Sequence, residues 1–235
     1  MILAKSAIRQ AVFDGRIKIL DDEGQPFPGW RVSFHFPYGE PYFAQETNWC
    51  KEGNDPTAMQ PASIDLSLGR HWLVPKPNAV IKATKLTWWE NIITPTYARR
   101  SDCHYLDTTL PIEYHETFAD SFIVPARGFV LARTQEQIFV DKSIAAWVEG
   151  RSSVGRAGVF VQNAGWVDPN FQGTITLEIY NGLPHPVKLY KGTPCCQLVI
   201  PEVTGDNEEG YTGQYQGQIA TKGSGLWKSV PKGEL

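Results

Sequence analysis

Residues 174 to 180 read Thr-Ile-Thr-Leu-Glu-Ile-Tyr, and this strict alternation of apolar and polar side chains fits a half-buried β-strand and no amphipathic helix. On such a strand Ile175, Leu177 and Ile179 face a core, while Thr174, Thr176, Glu178 and Tyr180 share the opposite face. A carboxylate is thereby carried on a rigid element among hydroxyls. Just upstream, Asp168-Pro169-Asn170-Phe171-Gln172-Gly173 is turn chemistry, so Asp168 and Glu178 lie at opposite ends of a hairpin-like unit. Short apolar runs recur at residues 63 to 68, 122 to 124, 129 to 132, 145 to 148, 187 to 190 and 197 to 200. With 21 glycines and 17 prolines in 235 residues, the chain is punctuated often, and an all-β sandwich or barrel is expected. One short helix is predicted over residues 4 to 15, where Ala7, Ile8, Ala11 and Val12 fall at helical spacing and Gly15 supplies the stop.

A second chemical feature precedes the strand. Gly150-Arg151-Ser152-Ser153-Val154-Gly155-Arg156 sets two guanidinium forks and two hydroxyls among glycines, a combination that can converge on an anion such as a phosphate chain. The formal charge of −3 gives no electrostatic reason to expect a nucleic-acid polymer as partner. Cys50, Cys103, Cys195 and Cys196 form neither a disulfide framework nor a zinc pattern. Consecutive side chains of a strand point to opposite faces, so Cys195 and Cys196 are expected to stand apart. His104 and His115 are isolated in sequence and read as surface or hydrogen-bonded residues. Charged residues interrupt the first twenty positions, and no apolar run is long enough to span a bilayer, so a soluble, cytoplasmic protein without membrane contact is expected.

Taken together, several motifs carry a resemblance. They are the Gly-Arg-Ser-Ser turn at 150 to 153, Ala164-Gly165-Trp166-Val167-Asp168 and Thr176-Leu177-Glu178. With them come Gln60-Pro61-Ala62-Ser63-Ile64-Asp65, Pro125-Ala126-Arg127-Gly128 and Tyr215-Gln216-Gly217-Gln218. In this order they resemble the dCTP deaminase branch of the dUTPase superfamily. The resemblance implies a distorted β-barrel or jelly-roll of the dUTPase-like type over the whole chain, residues 1 to 235. Relative to that family, residues 25 to 57 look like an aromatic-rich insertion, and residues 204 to 235 look like a flexible tail that closes over the site.

The resemblance also implies chemistry. Glu178 acts as general base and then acid in a deamination that uses no zinc, Ser152 and the Ala164 carbonyl hold the water, and Arg156 orients the carboxylate and keeps it ionised. Asp168 corresponds to the residue that activates a second water for attack at the α-phosphorus, with Mg²⁺ bound by the triphosphate rather than by the protein. Arg151, Ser153, Trp166, Gln197, Tyr211 and Gln218 match substrate- or phosphate-binding positions. Gln214 stands where the family has a tail lysine, for which Lys222 is a possible substitute, and the loop between Arg156 and Ala164 is one residue shorter than in some members. The implied assembly is a homotrimer or dimer of trimers with sites shared between subunits. Asp65 either braces the site or is a strand-end aspartate satisfied by backbone. The expected function is dCTP deamination followed by hydrolysis to dUMP and pyrophosphate. The alternatives are a deaminase that releases dUTP and a catalytically silent nucleotide-binding regulator.

Overall fold

The computed structural model describes residues 1–21, 32–33, 42–43, 58–76, 80–82, 104–106, 108–162, 165–205 and 208–229. Most of the expected insertion, Ala164, Cys50 and Cys103 lie outside them. The chain divides into two compact units. The larger comprises Met1–Trp72 and Thr117–Lys222, and it contains every described candidate residue.

Helix α1 (Lys5–Phe13) opens this unit and buries Ile8 and Ala11. It stops as the sequence predicts. Gly15 takes φ +74°, and the N–H groups of Gly15 and Arg16 turn back to the carbonyls of Val12 and Ala11, which satisfies the last turn. Strand β1 (Ile17–Leu20) follows. Within residues 25 to 57, β2 (Val32–Ser33) and β3 (Tyr42–Phe43) pair antiparallel with each other. Next come β4 (Ser63–Ser67) and β5 (His71–Pro75).

In the second unit, Leu73–Glu116 with Gly223–Leu235, β6 (Val80–Lys82) pairs with β7 (His104–Leu106). Within that unit the backbone N–H of Lys76 donates to the carbonyl of Glu113 and that of Ser224 to the Tyr114 hydroxyl. Strand β8 (Tyr114–Phe118) leads back to the larger unit.

The remaining strands are β9 (Ser121–Val124), β10 (Phe129–Val140), β11 (Ala146–Gly150), β12 (Val159–Gln162), β13 (Trp166–Val167), β14 (Gln172–Asn181), β15 (Val187–Tyr190) and β16 (Pro194–Val199). A five-residue helix, α2 (Ser152–Arg156), stands between β11 and β12. The all-β expectation holds. Strands β12, β14 and β10 are neighbours in one sheet, with β1 also on β10, while β13, β11, β16 and β4 form a second. Ile64, Leu66, Ile138, Leu177, Ile179 and Leu198 are fully buried, each such side chain contributing about 1.5–3 kcal/mol.

Three features depart from simple alternation. Strand β10 continues through the polar run Arg133 to Gln137, where four steps along β10 oppose two along β14. The Thr134 hydroxyl fills that gap, accepting from the N–H of Ile175 (3.0 Å) and donating to the carbonyl of Glu136 (2.7 Å). On β4 the polar face is as buried as the apolar one, because Glu136 accepts hydrogen bonds from the N–H and hydroxyl of Ser67 and three donors converge on Asp65.

Third, Cys195 and Cys196 do not stand apart. Two steps on β16 oppose one on β4 between Pro194 and Cys196, so Cys195 is the extra residue of a bulge, and both thiols are buried with their sulfurs 4.0 Å apart.

The C-terminal segment docks on β14. Gln218 bridges Gly173 in parallel, the N–H of Thr174 donates to the Gln218 carbonyl (2.8 Å) and that of Gly217 to the Gln172 carbonyl (2.8 Å). Thr174, expected on an open face, is consequently fully buried. Gly173 takes φ +141°, and a Cβ there would lie 2.5 Å from the Gln218 carbonyl oxygen. Gly173→Ala should therefore expel the segment at a cost of about 1–3 kcal/mol, read as a lower urea midpoint together with faster proteolysis beyond residue 210. An unchanged proteolysis pattern would show that the segment is held by other contacts.

Candidate active site

The Arg-Ser-Ser turn is built on a buried carboxylate. Asp65 of β4 pairs through Oδ2 with the Arg151 guanidinium (3.2 Å) and accepts hydrogen bonds from Gln60 (3.0 Å) and Gln197 (2.9 Å). With all three donors placed, the buried carboxylate is satisfied and Arg151 is held at the entry to α2. The backbone completes the hold. The N–H of Arg151 donates to the Cys195 carbonyl (3.2 Å), and the Arg151 carbonyl accepts from the N–H groups of Val154 and Gly155. Ser152, Ser153 and Arg156 consequently project from a fixed helix with exposed side chains. Of this network, Asp65 and Gln197 stand out in the sequence motifs. Gln60 opens the motif that carries Asp65, and its contact supplies the role that the sequence did not assign.

Glu178 sits elsewhere on the same unit, at a junction along one edge of β14. Among the described residues, strand β12 pairs with β14 from Val159↔Asn181 to Gln162↔Glu178. Beyond that point the C-terminal segment takes over the edge, with the N–H of Lys222 donating to the Thr176 hydroxyl (3.1 Å). Glu178 thus lies where one covering element ends and the other begins. Its side chain is half-buried, and burial raises its carboxyl above the ordinary value. Among the described residues it has no hydrogen-bond or ion-pair partner, so within one chain Arg156 does not offset that burial.

Asp168, Trp166 and Tyr211 come together at the turn before β14. Asn170 takes φ +69° and the N–H of Phe171 donates to the Asp168 carbonyl (3.1 Å), the geometry that the Asp-Pro-Asn sequence prescribes. Trp166 donates its indole N–H to Asp168 Oδ1 (2.7 Å). The C-terminal segment crosses this turn, with the N–H of Tyr211 on the Pro169 carbonyl (2.8 Å) and its ring 6.0 Å from that of Phe171. Gln218 is buried rather than open to a ligand, its amide N–H₂ donating to the Thr174 carbonyl. Ala164 lies outside the described residues. His71, unremarkable in sequence, proves to be an anchor: its Nδ1 accepts from the N–H of Thr221 (2.9 Å), and its carbonyl accepts from the Thr221 hydroxyl (2.9 Å).

A satisfied Arg-Ser-Ser turn, a half-buried glutamate without a partner among the described residues and an indole-tethered aspartate therefore occupy one unit. The family model for dCTP deaminase-like proteins matches residues 44–203. This chain belongs to that family. It is similar to the dUMP-forming dCTP deaminase of Sulfurihydrogenibium sp. strain YO3AOP1, at 36% identity over 173 residues, covering 74% of this chain and 86% of the relative. The corresponding Persephonella marina protein is 37% identical over 175 residues, with the same coverage. That of Aquifex aeolicus is 31% identical over 218 residues, covering 93% of this chain and 91% of the relative.

The raised Glu178 carboxyl has a stability consequence. The folded chain holds this proton more tightly than the unfolded chain, so stability falls as pH rises from the ordinary carboxylate value through the raised one. Glu178→Gln removes that loss. Its melting temperature relative to the unsubstituted protein should therefore climb between acid and neutral pH, and a difference independent of pH would remove burial as the cause.

Proposed function

We propose that this member of the dCTP deaminase-like family converts dCTP to dUMP, pyrophosphate and ammonia. The observation that carries the reading is Glu178, a half-buried carboxylate without a partner among the described residues, at a junction on the β14 edge, in a chain whose relatives are named for forming dUMP. Burying a carboxylate without hydrogen bonds is costly, and proton shuttling is a task that such a carboxylate can serve.

In the first step Glu178 takes a proton from water as the oxygen adds to C4 of cytosine. The carboxylic acid so formed protonates N3, and the regenerated carboxylate then takes the proton of the new C4 hydroxyl and hands it to the amino group, which leaves as ammonia as the C4 carbonyl forms. Ser152 and the Ala164 carbonyl position the water. Arg156 stabilises the carboxylate from a neighbouring protomer, in keeping with Glu178 having no ion pair among the described residues of one chain. The active form in this reading is a homotrimer with shared sites.

The second step uses Asp168. Its Oδ1 is occupied by the Trp166 indole, which leaves the other oxygen to accept a proton from a water attacking the α-phosphorus. The P–O bond to the β-phosphate breaks, and pyrophosphate departs with the Mg²⁺ that entered on the triphosphate. Arg151 and Ser153 bind phosphate oxygens, with Arg151 pre-positioned by Asp65 so that less side-chain freedom is lost on binding. Gln197 acts through the same carboxylate, and Tyr211 and Gln218 hold the C-terminal segment over the turn and the β14 edge. The reaction belongs in the cytoplasm, where deoxynucleoside triphosphates are handled.

Chromatography of the products formed from dCTP and Mg²⁺ tests the reading, with dUMP and pyrophosphate expected and unchanged dCTP counting against it. Glu178→Gln should lower turnover about 10² to 10⁴-fold with the fold intact. Asp168→Asn separates the steps: dCTP is still consumed while dUTP accumulates. If Asp168→Asn yields dUMP at the original rate, Asp168 is not the hydrolytic base.

A further inference from the structure

The bulge on β16 brings together two thiols that a regular strand would separate. Cys195 and Cys196 are both buried, and their sulfurs approach to 4.0 Å. Cys195 also points its sulfur at the Leu66 carbonyl (3.7 Å). The Cys196 thiol is pushed well above its ordinary value, by its contact with Cys195 first, then by burial, then by the nearby charges of Glu136 and Asp65. No step of the proposed reaction uses either sulfur.

The pair is coupled mechanically to the anion-binding turn. The carbonyl of Cys195 accepts the Arg151 N–H (3.2 Å), Cys196 pairs with Gly150, and Gln197 holds the Asp65 carboxylate that grips Arg151. We infer that Cys195 and Cys196 are a redox-sensitive vicinal dithiol, and that closing it to a disulfide distorts the turn carrying Arg151 to Arg156. A disulfide sets its sulfurs at about 2.0 Å, so the pair must close by roughly 2 Å. The short ring of adjacent cysteines contains one peptide unit, and closure has to rotate it. The carbonyl of that peptide is the one that receives the Arg151 N–H.

A low-molecular-weight disulfide is the oxidant. The thiolate of Cys195 attacks one sulfur of RSSR, the S–S bond breaks, and one RS⁻ leaves and is protonated. The thiolate of Cys196 then attacks the Cys195 sulfur of the mixed disulfide and displaces the second RS⁻. Two cysteine thiols and one RSSR become one protein disulfide and two RSH. Burial makes the exchange slow, because a local opening must expose Cys195 before the attack.

The test uses full-length protein with Cys50 and Cys103 changed to Ser and treated with glutathione disulfide. One portion is denatured and alkylated for peptide mass analysis, and another is cut with trypsin while folded. The peptide bearing Cys195 and Cys196 should be two hydrogens lighter and resistant to alkylation, and native cleavage after Arg151 or Arg156 should accelerate. Dithiothreitol should reverse both. Adding Cys196→Ala should abolish the acceleration. Two freely alkylated thiols, a mixed disulfide that goes no further, or a bridged protein cut at the original rate would each overturn the inference. Loss of dCTP turnover on bridging is also expected. That readout alone rests on the proposed reaction, so its failure beside a positive mass and cleavage result counts against the reaction and not against the dithiol.

Discussion

The backbone of β14 has to be satisfied on both of its edges, because a buried N–H or C=O left unpaired costs about 1–3 kcal/mol. One edge is met along its length by β10, with the Thr134 hydroxyl substituting where the register breaks. The other edge is met by two segments far apart in sequence, β12 from Glu178 onward and the C-terminal segment from Gln172 to Thr176. Glu178 falls where these two coverings meet. There it is half-buried and, among the described residues, unpaired, and burial raises its carboxyl.

The Arg-Ser-Ser turn is solved the opposite way. Arg151 is given a buried counter-ion, Asp65, whose remaining acceptor capacity is filled by Gln60 and Gln197. A buried carboxylate with that many donors is stable only if all of them are present, so the network ties β4, β16 and the start of α2 into one rigid corner. One unit thus contains a saturated acid that positions Arg151 and an acid that, among the described residues, has no partner. Their chemical difference comes from surroundings alone, since both are strand-borne carboxylates.

The bulges on β10 and β16 perform a related task. Each inserts residues where strict alternation would have placed the wrong side chain. On β10 the bulge buries Thr134 and Glu136 beside Ser67; on β16 it turns two consecutive thiols to the same side. Both lie next to strand β4, so the strand that supplies Asp65 is also the one whose neighbours are irregular.

The sequence by itself determined a good deal. The alternation at 174 to 180 specified a strand with Leu177 and Ile179 inward, Asp168-Pro169-Asn170 specified its turn, Gly15 specified the end of α1, and the ordered motifs specified the family. All of these are local, because periodicity, turn chemistry and capping are decided by residues a few positions apart. What only the tertiary structure decided was which polar residues are buried and which strands break register. The burial of Thr174 under Gln218, the anchoring of Thr221 on His71, the three donors on Asp65 and the meeting of Cys195 with Cys196 were not legible in advance. Each depends on a partner brought from a distant part of the chain or on an inserted residue that reverses the strand's facing, and no local pattern encodes either.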